Sequence, residues 1–97
     1  VKWLERLPEN SFDGVIIANE VLDAMPVTIF QKMRDGFSER VVGLDEGNNF
    51  IWKTRTVSES LNNEIQKLGI SFPNNYYSEI NPNVNPWICS LNQILLQ

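Results

Sequence analysis

The sequence predicts an α/β fold: one strand buried on both faces, an antiparallel β-meander inserted behind it, and two helices. Three observations carry that prediction. The run Val15-Ile16-Ile17-Ala18 is continuously apolar, residues 27–33 alternate between apolar and polar side chains, and Leu61, Ile65 and Leu68 recur at helical intervals. A continuous apolar run suits the middle of a parallel sheet, a period of two suits a half-exposed strand, and a period near 3.6 suits a helix packed on one side.

Taken in order, residues 1–10 place Trp3, Leu4 and Leu7 at near-helical spacing before Pro8, which reads as a short helix or turn passing into a loop. Asp13-Gly14 announces the buried strand at 15–18. From Pro26 onward, Val27, Ile29 and Met33 alternate with Thr28, Lys32 and Arg34 up to Asp35-Gly36, a hairpin turn signal, and a second strand returns over 37–44. The turn cluster Glu46-Gly47-Asn48-Asn49 leads into Phe50-Ile51-Trp52-Lys53-Thr54-Arg55, which completes a three-stranded meander. Thr56 and Glu59 have capping-box spacing ahead of an amphipathic helix that stops at Gly69. Residues 71–85 are rich in Asn and Pro and read as loop, with a short extended piece at Tyr76-Tyr77-Ser78-Glu79-Ile80. Asn85-Pro86 then reads as the N-cap and first-turn proline of a second helix carrying Trp87, Ile88, Leu91 and Leu95 on one face. The chain thus divides into 1–25 (buried strand and short helix), 26–57 (meander) and 58–97 (helices and Asn/Pro-rich loop).

Composition removes whole classes of chemistry. A chain of 97 residues has a small core, and with one cysteine, Cys89, and no histidine it has no disulfide staple, no zinc-finger spacing and no Ser/His or Cys/His pair. Eight basic residues against twelve acidic ones give a formal charge of −4, the wrong sign for neutralising phosphates, so no nucleic-acid partner is expected. No apolar run approaches the roughly 20 residues that span a bilayer, and no signal-peptide pattern opens the chain, so no membrane partner is expected and the location is read as cytoplasmic. A start at Val1 without Met and a finish in Ile94-Leu95-Leu96-Gln97 read as two cut ends, and hence as an internal fragment.

The sharpest local feature is Ala18-Asn19-Glu20-Val21-Leu22-Asp23-Ala24-Met25-Pro26, polar residues where a buried strand ends. Ligands collect at the carboxyl ends of strands in open α/β sheets. If a helical turn begins at Asn19, Glu20 and Asp23 share a face and form a carboxylate pair matched to a guanidinium. Set against this, Asn19 is a helix cap and the acids decorate a helix start, where the dipole favours them. Glu79, flanked by Tyr77 and Ile80 in an otherwise uncharged loop, reads either as a partly desolvated carboxylate with a role or as a solvated loop acid. Trp3, Trp52 and Trp87 fall on three separate elements and read as packing residues, and Cys89 reads as a small core residue with no basic neighbour to activate it. The five glycines are scattered and form no phosphate- or nucleotide-cradling loop.

The stretch from Phe12 through Pro26 to Phe30 resembles the signature of the MidA family, matching its A-N-E-x-x-D-A-x-P-V pattern followed closely by Phe. These are S-adenosylmethionine-dependent methyltransferases related to the mitochondrial arginine methyltransferase that assists assembly of respiratory complex I. Tyr77-Ser78-Glu79-Ile80-Asn81 is similar to a second family segment, Y-R-S-E-I, although the Arg is absent here. A position often basic or His in relatives is Thr28 or Ile29 in this chain. The resemblance implies a class I, Rossmann-like methyltransferase fold, of which this chain is roughly a quarter, with the glycine-rich donor loop upstream and the next acidic-ended strand downstream. It implies that Ala18 and Asn19 border the S-adenosylmethionine pocket, and that Glu20, Asp23 and Glu79 hold a guanidinium. It implies no metal, a protein substrate, and a cytoplasmic or mitochondrial-matrix setting.

The expected function is therefore part of an S-adenosylmethionine-dependent protein arginine methyltransferase, with the 97-residue piece inactive alone. A rival reading makes the meander a protein-docking module that presents a sheet edge. A third is self-association through the unpaired strand at Val15.

Overall fold

A computed structural model describes residues 1–96 of the chain. It divides into two compact units, Pro26–Pro82 on the one hand and Val1–Met25 with Asn83–Gln97 on the other.

In the Pro26–Pro82 unit four strands form one antiparallel sheet. These are β1 (Thr28–Met33), β2 (Gly36–Leu44), β3 (Phe50–Thr56) and β4 (Tyr77–Ile80), in the order β3-β2-β1-β4. The expected three-stranded meander is thus extended by a fourth strand. The short extended piece at 76–80 lies against β1, pairing Thr28 with Ile80 and Gln31 with Tyr77. A four-residue strand has no stability of its own, and the long return through the helix places it beside the central hairpin, a pairing invisible to local pattern.

Two turns set the registers. Met33 faces Gly36 across a two-residue loop, and Gly36 has φ +130°, a region that costs a side-chain-bearing residue heavily. The second turn is built around Asp45, one residue ahead of the cluster read from sequence. Its carboxylate accepts from the Gly47 and Asn49 amides at 2.8 and 2.9 Å, while Asn48 takes φ +61°. Asn tolerates that left-handed region better than most residues. These bonds, those from Asn49 first, hold the Asp45 carboxyl below its ordinary range.

Helix α1 (Glu59–Lys67) crosses one face of the sheet. Its cap is Ser58, whose hydroxyl accepts from the Leu61 amide at 3.1 Å, so the expected Thr56–Glu59 capping box does not form. Thr56 is still the last residue of β3, and a residue in the ladder cannot also open the helix. The predicted stop is observed, with Gly69 at φ +63°. Leu61 and Ile65 are buried by the helix, whereas Leu68 is exposed. They pack on Phe30, with Phe37, Val57, Phe72 and Ile80 around them. Phe30, Phe37 and Phe72 meet edge to face with centroids 5.4 to 6.1 Å apart, the arrangement that sets positive ring edges on negative faces.

The other unit carries α2 (Val84–Asn92) and otherwise turns and bends. Asn83 precedes the helix, so Pro86 stands at its third position rather than its first; its missing N–H is still one of those with no intrahelical partner. The helix ends at Asn92, before Leu95, which instead makes an isolated parallel bridge with Phe12. The Phe12 amide donates to the Ile94 carbonyl at 2.9 Å, and Ile94 is buried. Cys89, expected in the core, is exposed. Gln97, the last residue of the expected cut end, lies outside the described residues.

Two expectations for this unit are corrected. Residues 1–10 form bends and no helix, and the run at 15–18 forms no strand. Val15 and Ile17 are 85% and 89% exposed. A strand exists only as one member of a ladder, and none of the described residues pairs with this run, so Val15 and Ile17 stay exposed while Ile16 is half-buried.

Candidate functional site

The residues singled out by sequence fall on both units. Ala18, Asn19, Glu20 and Asp23 are all exposed and lie in an irregular stretch, so no helix starts at Asn19 and Asn19 caps nothing. The segment closes in a turn at Leu22, whose carbonyl accepts from the Met25 amide at 3.2 Å. Both sequence-level accounts of Glu20 and Asp23, a shared helical face and a decorated helix start, therefore lose their helix.

Glu20 has instead a property that spacing does not show: its φ is +51°. A left-handed backbone costs a residue with a Cβ about 1–2 kcal/mol, and neither Gly nor Asn occupies the position. Glu20 stands apart from its neighbours by this backbone alone, since its side chain is exposed and in no ion pair among the described residues.

Glu79 lies on β4 rather than in a loop, opposite Ile29, and is exposed, so it is not desolvated. Among the described residues the ion pairs are Arg55 with Glu39 and Lys67 with Glu64, which leaves Glu20, Asp23 and Glu79 without a cationic partner. Three exposed carboxylates without partners are free to accept donors from outside the chain.

Two arrangements within the Pro26–Pro82 unit escaped sequence reading. Arg55 donates through Nε and Nη2 to the two Glu39 oxygens, both at 2.8 Å, a bidentate pair across β2 and β3. This bonding to Arg55 holds the Glu39 carboxyl below its usual range and raises the Arg55 guanidinium. The pair lies beside an open pocket of about 490 Å³ with Ser58, Ser60 and Glu64 also on its wall. Separately, the Arg40 guanidinium lies 5.0 Å from the Trp52 ring centre and 4.7 Å from that of Tyr77. Both arrangements follow from registers set by the two turns. Placing the second turn at Asp45 would have put Glu39 opposite Arg55 from sequence alone.

No helix among the described residues is long and apolar enough to cross a membrane. The whole chain, residues 1–97, matches the model of a family described as "Putative S-adenosyl-L-methionine-dependent methyltransferase". Two crystal structures of proteins from Burkholderia thailandensis are similar to it. One is an uncharacterized protein, 33% identical with a TM-score of 0.82 over 99% of this chain and 25% of that one. The other is a member of the same superfamily bound to S-adenosyl-homocysteine, 32% identical with a TM-score of 0.80 over 97% of this chain and 24% of that one. The chain thus spans about a quarter of the length of the solved structures it matches. No curated protein matches it. The mixed α/β arrangement, a four-stranded antiparallel sheet with two helices, matches part of a methyltransferase-like fold.

Proposed function

The chain belongs to this S-adenosyl-L-methionine-dependent methyltransferase family, and from that premise we propose that it is one section of a MidA-type enzyme that methylates protein arginine. The carrying observation is the run Ala18-Asn19-Glu20-Val21-Leu22-Asp23-Ala24-Met25-Pro26, with Glu20 held at φ +51° inside it. In this reading Ala18 and Asn19 border the methyl-donor pocket of a Rossmann-like domain, and Glu20 and Asp23 hold the guanidinium of the substrate.

The chemistry asks for what exposed carboxylates supply. S-Adenosylmethionine provides an electrophilic sulfonium methyl group. Transfer forms an N–CH3 bond as the S–CH3 bond breaks and the thioether S-adenosylhomocysteine leaves, with the guanidinium giving up one proton to a nearby carboxylate or to water, so it needs an aligned nitrogen whose positive charge is offset. Carboxylates bonded to the guanidinium orient it and favour electron density at the attacking nitrogen. The residues present fit the acceptor side better than the donor side, because the scattered glycines give no loop to cradle the donor. That is the ground for proposing that the 97 residues alone do not catalyse.

The test uses the longer protein. Glu20→Gln keeps size and removes charge, and it is expected to lower kcat by about 10²-fold or more with donor binding by calorimetry unchanged. Unchanged turnover would remove Glu20 from the mechanism. Donor heat from the 97-residue chain itself would overturn its proposed inactivity.

A second reading is favoured by one observation, the sheet face that α1 does not cover, where Val42, Trp52 and Tyr77 remain exposed. There the meander is a protein-docking module.

A further inference from the structure

The Pro26–Pro82 unit leaves and rejoins the rest of the chain at neighbouring points. Thr28, the first residue of β1, pairs with Ile80, the last of β4, so the strands that lead into and out of the unit are antiparallel partners. Residues paired in this way lie about 5 Å apart at Cα. Pro26 and Pro82 stand two residues beyond that pair on either side, and a proline has no N–H with which to continue a ladder. A segment whose ends meet like this interrupts its host without redirecting it.

What holds the unit is also inside it. The four-stranded ladder, the core of Phe30, Leu61 and Ile65, the ion pairs Glu39–Arg55 and Glu64–Lys67, and the ring contacts of Phe30, Phe37 and Phe72 all fall between residues 26 and 82. The sheet face that α1 leaves uncovered carries Gln31, Arg40, Thr54 and Glu79 among its apolar residues, and an antiparallel sheet keeps one such face in water. Three or more strands with a helix packed on them suffice for independent stability, and a segment running from 26 to 82 falls in the range of about 55–65 residues in which many domains fold alone. Residues 1–25 and 83–97 are different in kind. Trp3, Val15 and Ile17 are 92%, 85% and 89% exposed, and Ile94 is the buried apolar side chain among the described residues there. So little buried surface does not offset the entropy of ordering that unit.

We propose that Pro26–Pro82 is an autonomous insertion, which folds without support from residues 1–25 and 83–97 and can be excised from the longer protein without loss of its methyl-donor site. The autonomous fold depends on this unit alone. Excision rests on the proposed methyltransferase function, in which Ala18 and Asn19, ahead of the unit, border the donor.

Amide hydrogen exchange of the 97-residue chain, followed by nuclear magnetic resonance, tests the autonomous fold. Amides of β1 to β4 and α1 are expected to exchange about 10²-fold or more slowly than those of residues 1–25, as a marginally stable domain requires. Ile94→Asp places a carboxylate at the buried apolar position outside the unit and is expected to leave that protection unchanged within about twofold. Loss of about tenfold or more in this variant, or no protection in the wild type, shows that the unit needs the rest of the chain and overturns the proposal. For excision, residues 28–80 of the longer protein are replaced by Gly-Gly, joining Val27 to Asn81, and S-adenosylmethionine is titrated calorimetrically into this variant and the wild type. The variant is expected to keep Kd within about threefold of wild type. A loss of about tenfold or more, whether the deletion unfolds the protein or empties the site, overturns excision. Silence from the wild type refutes the methyltransferase function and excision with it, while the exchange result still decides the autonomous fold.

Discussion

Phe30→Ala tests whether the Pro26–Pro82 unit stands on one small core. Phe30 is fully buried, meets two other rings edge to face, and packs on the two helix residues Leu61 and Ile65. Truncating a buried phenylalanine costs about 3–5 kcal/mol through lost transfer energy and the cavity left behind. The upper half of that range is expected, because Phe37 and Phe72 lose their shared partner and each such pair contributes about 0.5–1.5 kcal/mol beyond its area. For a unit the size of Pro26–Pro82 an unfolding entropy of ~0.12 kcal/mol/K converts about 4 kcal/mol into a fall of about 30 °C in Tm. Such a loss rivals the whole stability of a domain with so few buried residues. Phe30→Leu keeps most of the volume and loses the ring geometry, so about 1–3 kcal/mol is expected by the same pair energies. The assay is urea unfolding followed by near-ultraviolet circular dichroism, with thermal melts alongside. A cost below about 1 kcal/mol for Phe30→Ala would refute the single-core account and mean that the sheet is held by something other than α1.

Two further outcomes follow from the same sheet. Ser38 is buried with its hydroxyl unpartnered among the described residues, so Ser38→Ala is expected to stabilise the chain by about 1 kcal/mol, the desolvation cost of an unmade hydrogen bond; a lower midpoint in urea would show that the hydroxyl has a partner. The Glu39 carboxyl titrates below its ordinary value when folded, so its bond to Arg55 contributes in full above the unfolded carboxylate range and is lost as pH falls through the folded pKa. Glu39→Gln should therefore flatten the acid limb of the stability curve below about pH 4.5, and an unchanged limb would show the pair to be inert.

Much of the fold was legible because much of it is local. Asp35-Gly36 and Gly69 mark ends that only backbone geometry decides, and a residue without Cβ announces them in any context. The spacing of Leu61 and Ile65 fixed which side of α1 faces inward, whereas the alternation of Val27, Ile29 and Met33 pointed to the wrong face of β1, since Phe30 between them is the residue the helix buries. The pattern Ala18-Asn19-Glu20 likewise pointed to the family before any coordinate did, since a motif is a property of order along the chain.

Tertiary structure decided the rest, and always by supplying or withholding a partner. The choice between Thr56 and Ser58 as cap turned on how far β3 pairs with β2, and β4 became a strand only beside β1. The run at 15–18 shows the converse: its composition asks for a buried strand, yet none of the described residues hydrogen-bonds to it, and Val15 and Ile17 stay in water. The Glu39–Arg55 pair joins residues sixteen positions apart, and Arg40 meets Trp52 and Tyr77 from three different strands. Sequence by itself determined the hairpin, the helix α1 with its buried Leu61 and Ile65, and the methyltransferase family. Register and pairing, which depend on contacts between distant residues, determined which charges meet and which face of the sheet is left open.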